Sequence, residues 1–196
     1  MSAVQPLARG VPPPYQPREF RNLGNLDGLS REAIELHLDI YRGYVASVNQ
    51  LIAGRASNMG RFTFEYNGMI LHEQFFEQLS SAPSELPQNG KFAKALTESF
   101  PNVEAWKDEL RELAATRGVG WVICARDETS NRIFNTWIDL HHLGLPARTN
   151  PVLVIDLWEH AWLDDYRSSG PKDYAEAVLA RVDWQVVEKR CWSRRA

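Results

Sequence analysis

The sequence predicts an α+β protein in which a long helical hairpin precedes a region of short helices and strands. Three observations carry this expectation. Apolar residues recur at steps of three and four from Ile34 to Leu51, a second apolar segment follows from about Phe62 to Leu79, and short runs rich in Trp, Val and Ile appear only beyond Gly120. With 196 residues the chain is long enough to bury a hydrophobic core and to form one or two small domains.

The first 20 residues hold five of the eleven prolines, so residues 1–28 are expected to form an extended arm. Ser30 is placed as the N-cap of a helix that runs to about Gly54 through Ile34, Leu38, Tyr41, Val45, Val48 and Leu51. A Gly, Ser and Asn break then separates it from the second helix, expected to end near Leu79. Two long helices with a short connection suggest an antiparallel hairpin, so residues 29–88 are assigned to a helical hairpin domain and residues 89–196 to a C-terminal α/β domain. In the latter, Phe92 to Phe100 and Val103 to Thr116 read as short helices, with Pro101 at the start of the second. Strands are expected over Gly120 to Ala125, Arg132 to Ile138 and Val152 to Asp156, and one or two helices over Tyr174 to Trp192.

Composition removes several classes of function. The 22 basic and 25 acidic residues leave a net charge of −3, which disfavours broad nucleic-acid binding, and no apolar run approaches the length of a membrane span. The N-terminal sequence has no apolar core of a secretory signal, which leads to a cytoplasmic expectation. Cys124 and Cys191 are too far apart for a CxxC site and are expected to be reduced and inert. What remains conspicuous is the set of five histidines, because imidazole and carboxylate are the main transition-metal ligands of a cysteine-poor protein.

Asp156 and His160 stand in DLWEHAW, at the end of the third strand candidate, four residues apart. That spacing lets both side chains converge if the chain turns helical there, although an ion pair or a helix cap is the plainer alternative. His37 and His72 lie in the middle of the two long helices, where a lone histidine is ordinarily a hydrogen-bonded core residue. On facing helices of one hairpin, with Asp156 and His160 downstream, they form a set of three imidazoles and one carboxylate suited to Fe, Mn or Zn. HEQFF at 72–76 begins like the HExxH metallopeptidase motif, but Phe76 stands where its second histidine must be, which excludes that reading.

The segments LSREAIELHLDIYRGYVASVNQLI, FEYNGMILHEQFFEQL, GVGWVICARD and PVLVIDLWEHAWLDDY resemble, in order, four blocks of the iron/manganese superoxide dismutase family. DLWEHA is the most specific of them. The resemblance implies a three-stranded antiparallel sheet behind the hairpin and one Fe or Mn ion per subunit, with His37, His72, Asp156 and His160 as its ligands. It implies disproportionation of superoxide, with Tyr44 and His141 organising protons; His142 is the alternative to His141, and Gly68 leaves the corresponding position on the second helix without a side chain. Trp121, Trp158 and Phe76 are similar to the aromatic walls of the family's pocket. Glu159 is similar to the glutamate that reaches the ligand histidine of a second subunit, which implies a homodimer or homotetramer.

The chain also departs from the family. Tyr41 stands near where a funnel histidine is common, Leu163 replaces an interface tyrosine, and Gly170 replaces an arginine. These departures leave a competing expectation, a metal-binding relative that acts through protein interaction without dismutase activity. His37 and Tyr44 are seven residues apart where the family has eight; seven residues of α-helix turn through about 700°, keeping the two on a shared face. The expectation is therefore a helix free of any π-bulge between them.

Overall fold

The computed structural model describes residues 14–54 and 59–193; residues 1–13 of the expected arm and 55–58 of the expected break lie outside them. The Ser30 hydroxyl accepts the Ala33 N–H at 3.1 Å and opens α1, Arg31–Gly54. Helix α1 is α-helical throughout, with no π turn between His37 and Tyr44. Its buried stripe, which includes Ile34, His37, Tyr41, Val45 and Val48, packs on α2, Phe62–Glu77. Helix α2 stops short of Leu79, because the Gln78 carbonyl accepts the Asp183 N–H at 2.7 Å and draws Leu79 into a bridge with Val182.

Residues 14–20 lie without regular structure across the hairpin. Asn49 exchanges two hydrogen bonds with the Tyr15 backbone, and the Arg18 N–H is accepted by the Tyr41 hydroxyl at 2.8 Å. That hydroxyl in turn donates to Glu73 at 2.9 Å. Tyr41, which stands near where a funnel histidine is common in the family, is buried beneath this segment against Phe20 and Phe76.

Helices α3, Lys91–Ser99, and α4, Val103–Ala114, follow. Asn102 caps α4 by accepting the Ala105 N–H at 2.8 Å, so Pro101 precedes the cap and is not the first helical residue. Strands β1, Gly120–Asp127, β2, Ile133–Asp139, and β3, Thr149–Asp156, form an antiparallel sheet in the order β2-β1-β3. Strand β3 begins earlier than expected, through Pro151, which an edge strand tolerates. Helix α5, Glu159–Tyr166, follows at once, and the closing segment is two helices, α6, Pro171–Ala180, and α7, Trp184–Trp192. Among the described residues no helix is long and apolar enough to cross a membrane.

The sheet is tied to the hairpin through the free edge of β3. Buried Gln78 donates to the Val154 carbonyl at 2.5 Å and accepts the Val154 N–H at 3.2 Å, while Arg190 of α7 donates to the same amide oxygen at 3.3 Å. Gln78→Leu leaves the Val154 N–H and carbonyl without their side-chain partner and is expected to cost about 2–4 kcal/mol, read as a lower urea midpoint.

Candidate metal centre

Four elements each place one side chain at a single point. Helix α1 supplies His37, α2 supplies His72, the end of β3 supplies Asp156, and the first turn of α5 supplies His160. One ligand-type atom from each lies within 4.8 Å of all the others. Asp156 Oδ2 is the hub, 3.0 Å from His37 Nε2, 3.5 Å from His72 Nε2 and 3.4 Å from His160 Nε2. Its other oxygen accepts the Trp158 N–H at 2.9 Å, which turns the chain from β3 into α5. His37, His72 and Asp156 are buried, whereas His160 keeps 17% of its side-chain surface.

The hydrogen bonds fix what these atoms offer. The Gly68 carbonyl can only accept, so His72 Nδ1, 2.6 Å away, carries the proton and Nε2 carries a lone pair. That lone pair faces a carboxylate oxygen with no hydrogen between them, and His72 Nε2 and His160 Nε2 have no hydrogen-bond partner although both atoms are buried. Acceptors crowded in this way repel one another unless a cation lies among them. Imidazole nitrogens and one carboxylate fit Fe or Mn, and His72 has the outer hydrogen bond that orients a metal-binding imidazole.

Burial sets the charges. It would push the Asp156 carboxyl up, but the imidazoles of His160 and His37 outweigh it and hold the group well below the usual carboxylate range. Burial lowers His37 against the opposing hydrogen bond to Asp156, and lowers His72 further, with the charge of His37 adding to the effect. Neutral imidazoles beside an ionised carboxylate are the protonation states that metal ligation needs.

His141 and Tyr44 stand next to this cluster. The Trp121 indole N–H donates to His141 Nδ1 at 3.0 Å. Neutral His141 therefore carries its proton on Nε2 and donates it to Tyr44 Oη at 2.6 Å. The Tyr44 ring lies 5.1 Å from that of His72, against Gly68, where an added Cβ would meet ring atoms at 2.7–3.0 Å. Trp158 stacks on His141 at 4.6 Å, Trp121 meets the edge of His72 at 5.1 Å and Phe76 that of His37 at 4.9 Å. His142 lies outside this set, with its ring edge on Phe64. Glu159 is exposed at the first turn of α5, Leu163 is partly buried there, and Gly170 is the N-cap of α6 at a φ of 88°.

Three further residues shape the site without having been marked in the sequence. Phe64 touches His141, Trp158 and Tyr44, and Asn67 donates to the His141 carbonyl at 3.0 Å. Leu140, at a φ of 53°, turns the chain out of β2 so that His141 enters the site. The three-residue step from Phe64 to Asn67, which puts both on one face of α2, was the available signal for the first two, while Leu140 carries none.

Burial pushes His141 from its ordinary 6.5 down to about 4. The unfolded chain therefore binds a proton that the folded chain refuses between these values, and stability present above pH 6.5 is lost as the pH falls toward 4. For the metal-free protein the loss between pH 7 and pH 5 is expected to be on the order of 2 kcal/mol from His141 alone, with His37 and His72 adding in the same direction. Urea unfolding at the two pH values measures it, and His141→Gln removes its share.

Residues 88–190 match the family model for the C-terminal domain of iron/manganese superoxide dismutases. Among curated relatives, an iron superoxide dismutase of Aquifex aeolicus is 31% identical, with 89% of this chain and 90% of that protein covered. A manganese superoxide dismutase of Haloferax volcanii, the second of two, is 32% identical over 83% of this chain and 86% of its own length. An iron superoxide dismutase of Methanothermobacter thermautotrophicus is 28% identical over the same shares. The chain belongs to the iron/manganese superoxide dismutase family, a family of oxidoreductases.

Proposed function

We propose that this protein disproportionates superoxide at one Fe or Mn ion held by His37, His72, Asp156 and His160. The observation that carries the reading is the convergence of three imidazole nitrogens on buried Asp156 Oδ2, two of them without a hydrogen-bond partner, in a chain whose relatives are named for both metals. The ion, when bound, supplies one-electron redox chemistry, and the overall reaction turns two superoxide anions and two protons into dioxygen and hydrogen peroxide. The chain's own residues hold the protons. His141 occupies one lone pair of Tyr44 Oη with its Nε2–H, leaving the phenol hydrogen free for an acceptor within the cluster. Burial raises the Tyr44 phenol, and the charges of Asp156 and Glu65 raise it further, so this hydrogen is retained at neutral pH. Trp121, Phe76 and Trp158 exclude bulk water from the imidazoles.

A second reading, a metal-holding relative without this activity, is favoured by Tyr41, which stands near where the family commonly has a funnel histidine and is buried beneath residues 14–20. One purified sample separates the two. Stoichiometric Fe or Mn with superoxide consumption supports the enzyme, and stoichiometric metal without it supports the second reading. His72→Ala and Asp156→Asn are expected to lose at least 90% of the metal; retention of metal in both would overturn the ligand assignment. Tyr44→Phe is expected to keep the metal and lower kcat.

The same reading extends to assembly and compartment. Glu159 is exposed and, among the described residues, makes no hydrogen bond or ion pair, next to the one partly exposed histidine of the cluster. We place it at the interface of a homodimer or homotetramer, where it would accept from His160 of a second copy. Sedimentation of the wild type against Glu159→Ala is expected to show dissociation in the variant; monomeric wild type would remove this part. The two free thiols, Cys124 and Cys191, fit a cytoplasmic setting.

A further inference from the structure

An anionic substrate must reach this site on a chain of net charge −3, so guidance has to come from a local positive group. Among the described residues four cations lie over aromatic rings, and Arg61 is the one whose ring, Phe64, also touches Tyr44, His141 and Trp158. We propose that Arg61 draws small monovalent anions to the Phe64 side of the metal centre, and that Glu65 holds its guanidinium there. This rests on the superoxide reading for its substrate, but not for its geometry.

Arg61 is the residue before α2, and Glu65 follows one turn later. Its Nη2 donates to Glu65 Oε1 at 2.7 Å, and its Cζ stands 6.0 Å from the Phe64 ring centroid. The two members of the pair differ in exposure. The Arg61 side chain keeps 67% of its surface and that of Glu65 only 9%. The pair therefore presents its positive end to solvent and its negative end to the protein, where the Glu65 charge reaches Tyr44. An incoming anion meets the guanidinium first. Without Arg61 it would meet an unpaired carboxylate beside Tyr44. Because Glu65 is buried, removing the cation leaves its carboxylate uncompensated, so the Arg61 variants are compared with the double variant Arg61→Gln/Glu65→Gln, in which no charge is left unpaired. The screening length of about 10 Å at 0.1 M salt exceeds the 6.0 Å from the guanidinium to the Phe64 ring.

The test uses iron-loaded wild type, Arg61→Gln, Arg61→Lys and the double variant Arg61→Gln/Glu65→Gln, each with its metal content measured. Two quantities are followed from low to about 0.2 M ionic strength: kcat/KM for superoxide, and the association rate of azide, a small monovalent anion, read from the absorbance of the iron centre. Arg61→Gln is expected to keep its iron and to lose about 3–10-fold in both at low ionic strength, with the gap closing as salt rises. Arg61→Lys should restore most of the loss. The double variant should fall between, because the repelling carboxylate is gone but the attracting cation is too. Equal rates in wild type and Arg61→Gln, a loss that salt does not narrow, or failure of Lys to rescue would each overturn the proposal. Wild type that takes up azide in an Arg61-dependent way but consumes no superoxide would sink the dismutase reading and leave the anion site standing. Wild type that consumes superoxide with neither rate dependent on Arg61 would do the reverse.

Discussion

Asp156 Oδ2 is the point to which the fold is committed. A buried carboxylate is costly unless its charge is compensated, and here imidazole nitrogens from α1, α2 and α5 converge on one oxygen, where a shared cation would offset the charge, while the Trp158 backbone satisfies the other. Sheet register makes this possible. Asp156 pairs with Trp121 across β1 and β3, and Trp121 pairs with Ile138 across β1 and β2. A slip of one residue in β3 would turn Asp156 to the opposite face of the sheet and leave three imidazoles without their shared partner. The Gln78 link to Val154, two residues before Asp156, resists that slip from the outer edge.

Trp121 couples the sheet to the proton-bearing groups as well. Its ring edge meets His72, and its indole N–H selects the tautomer of His141. Because an indole nitrogen only donates, His141 is left with one way to address Tyr44, through Nε2–H. The direction of the Tyr44–His141 hydrogen bond is thus set by a residue that faces Asp156 in the sheet. Tyr44 and the metal cluster share no direct bond through His141, but they share Trp121, so a change in sheet register would disturb both.

The four convergent side chains were legible because each sits where a simple pattern points. His37 and His72 fall within the apolar faces of two recognisable helices, and Asp156 and His160 share one short block at the end of a strand. The order of elements was legible for the same reason, since the change from helical to strand periodicity is abrupt at Gly120. Tyr41 shows where the pattern stops being informative. It lies one turn beyond His37 and shares the same broad face, but periodicity does not say which neighbour covers that turn. The backbone of Arg18 and the carboxylate of Glu73 decide it, and both are distant in sequence. Leu140 was hidden for another reason. A left-handed residue is signalled by Gly or Asn, and a leucine held there by its surroundings carries no such mark.

The spacing of His37 and Tyr44 and the glycine at 68 form a single constraint. Seven residues carry Tyr44 about 10.5 Å along α1 while returning it to within about 20° of His37. On the antiparallel α2, whose His72 ring is 4.9 Å from that of His37, a step of about 10.5 Å leads back to the region of Glu65, not to Gly68. The tilt of side chains toward the helix N-terminus brings the Tyr44 ring back down α1 to the level of Gly68. There the missing Cβ gives it room, and the Gly68 carbonyl is already committed to His72. Eight residues would rotate the ring by roughly 80° and carry it off that notch. A side chain at 68 would fill the notch. The shorter spacing and the glycine therefore depend on each other, and changing either moves Tyr44 Oη away from His141.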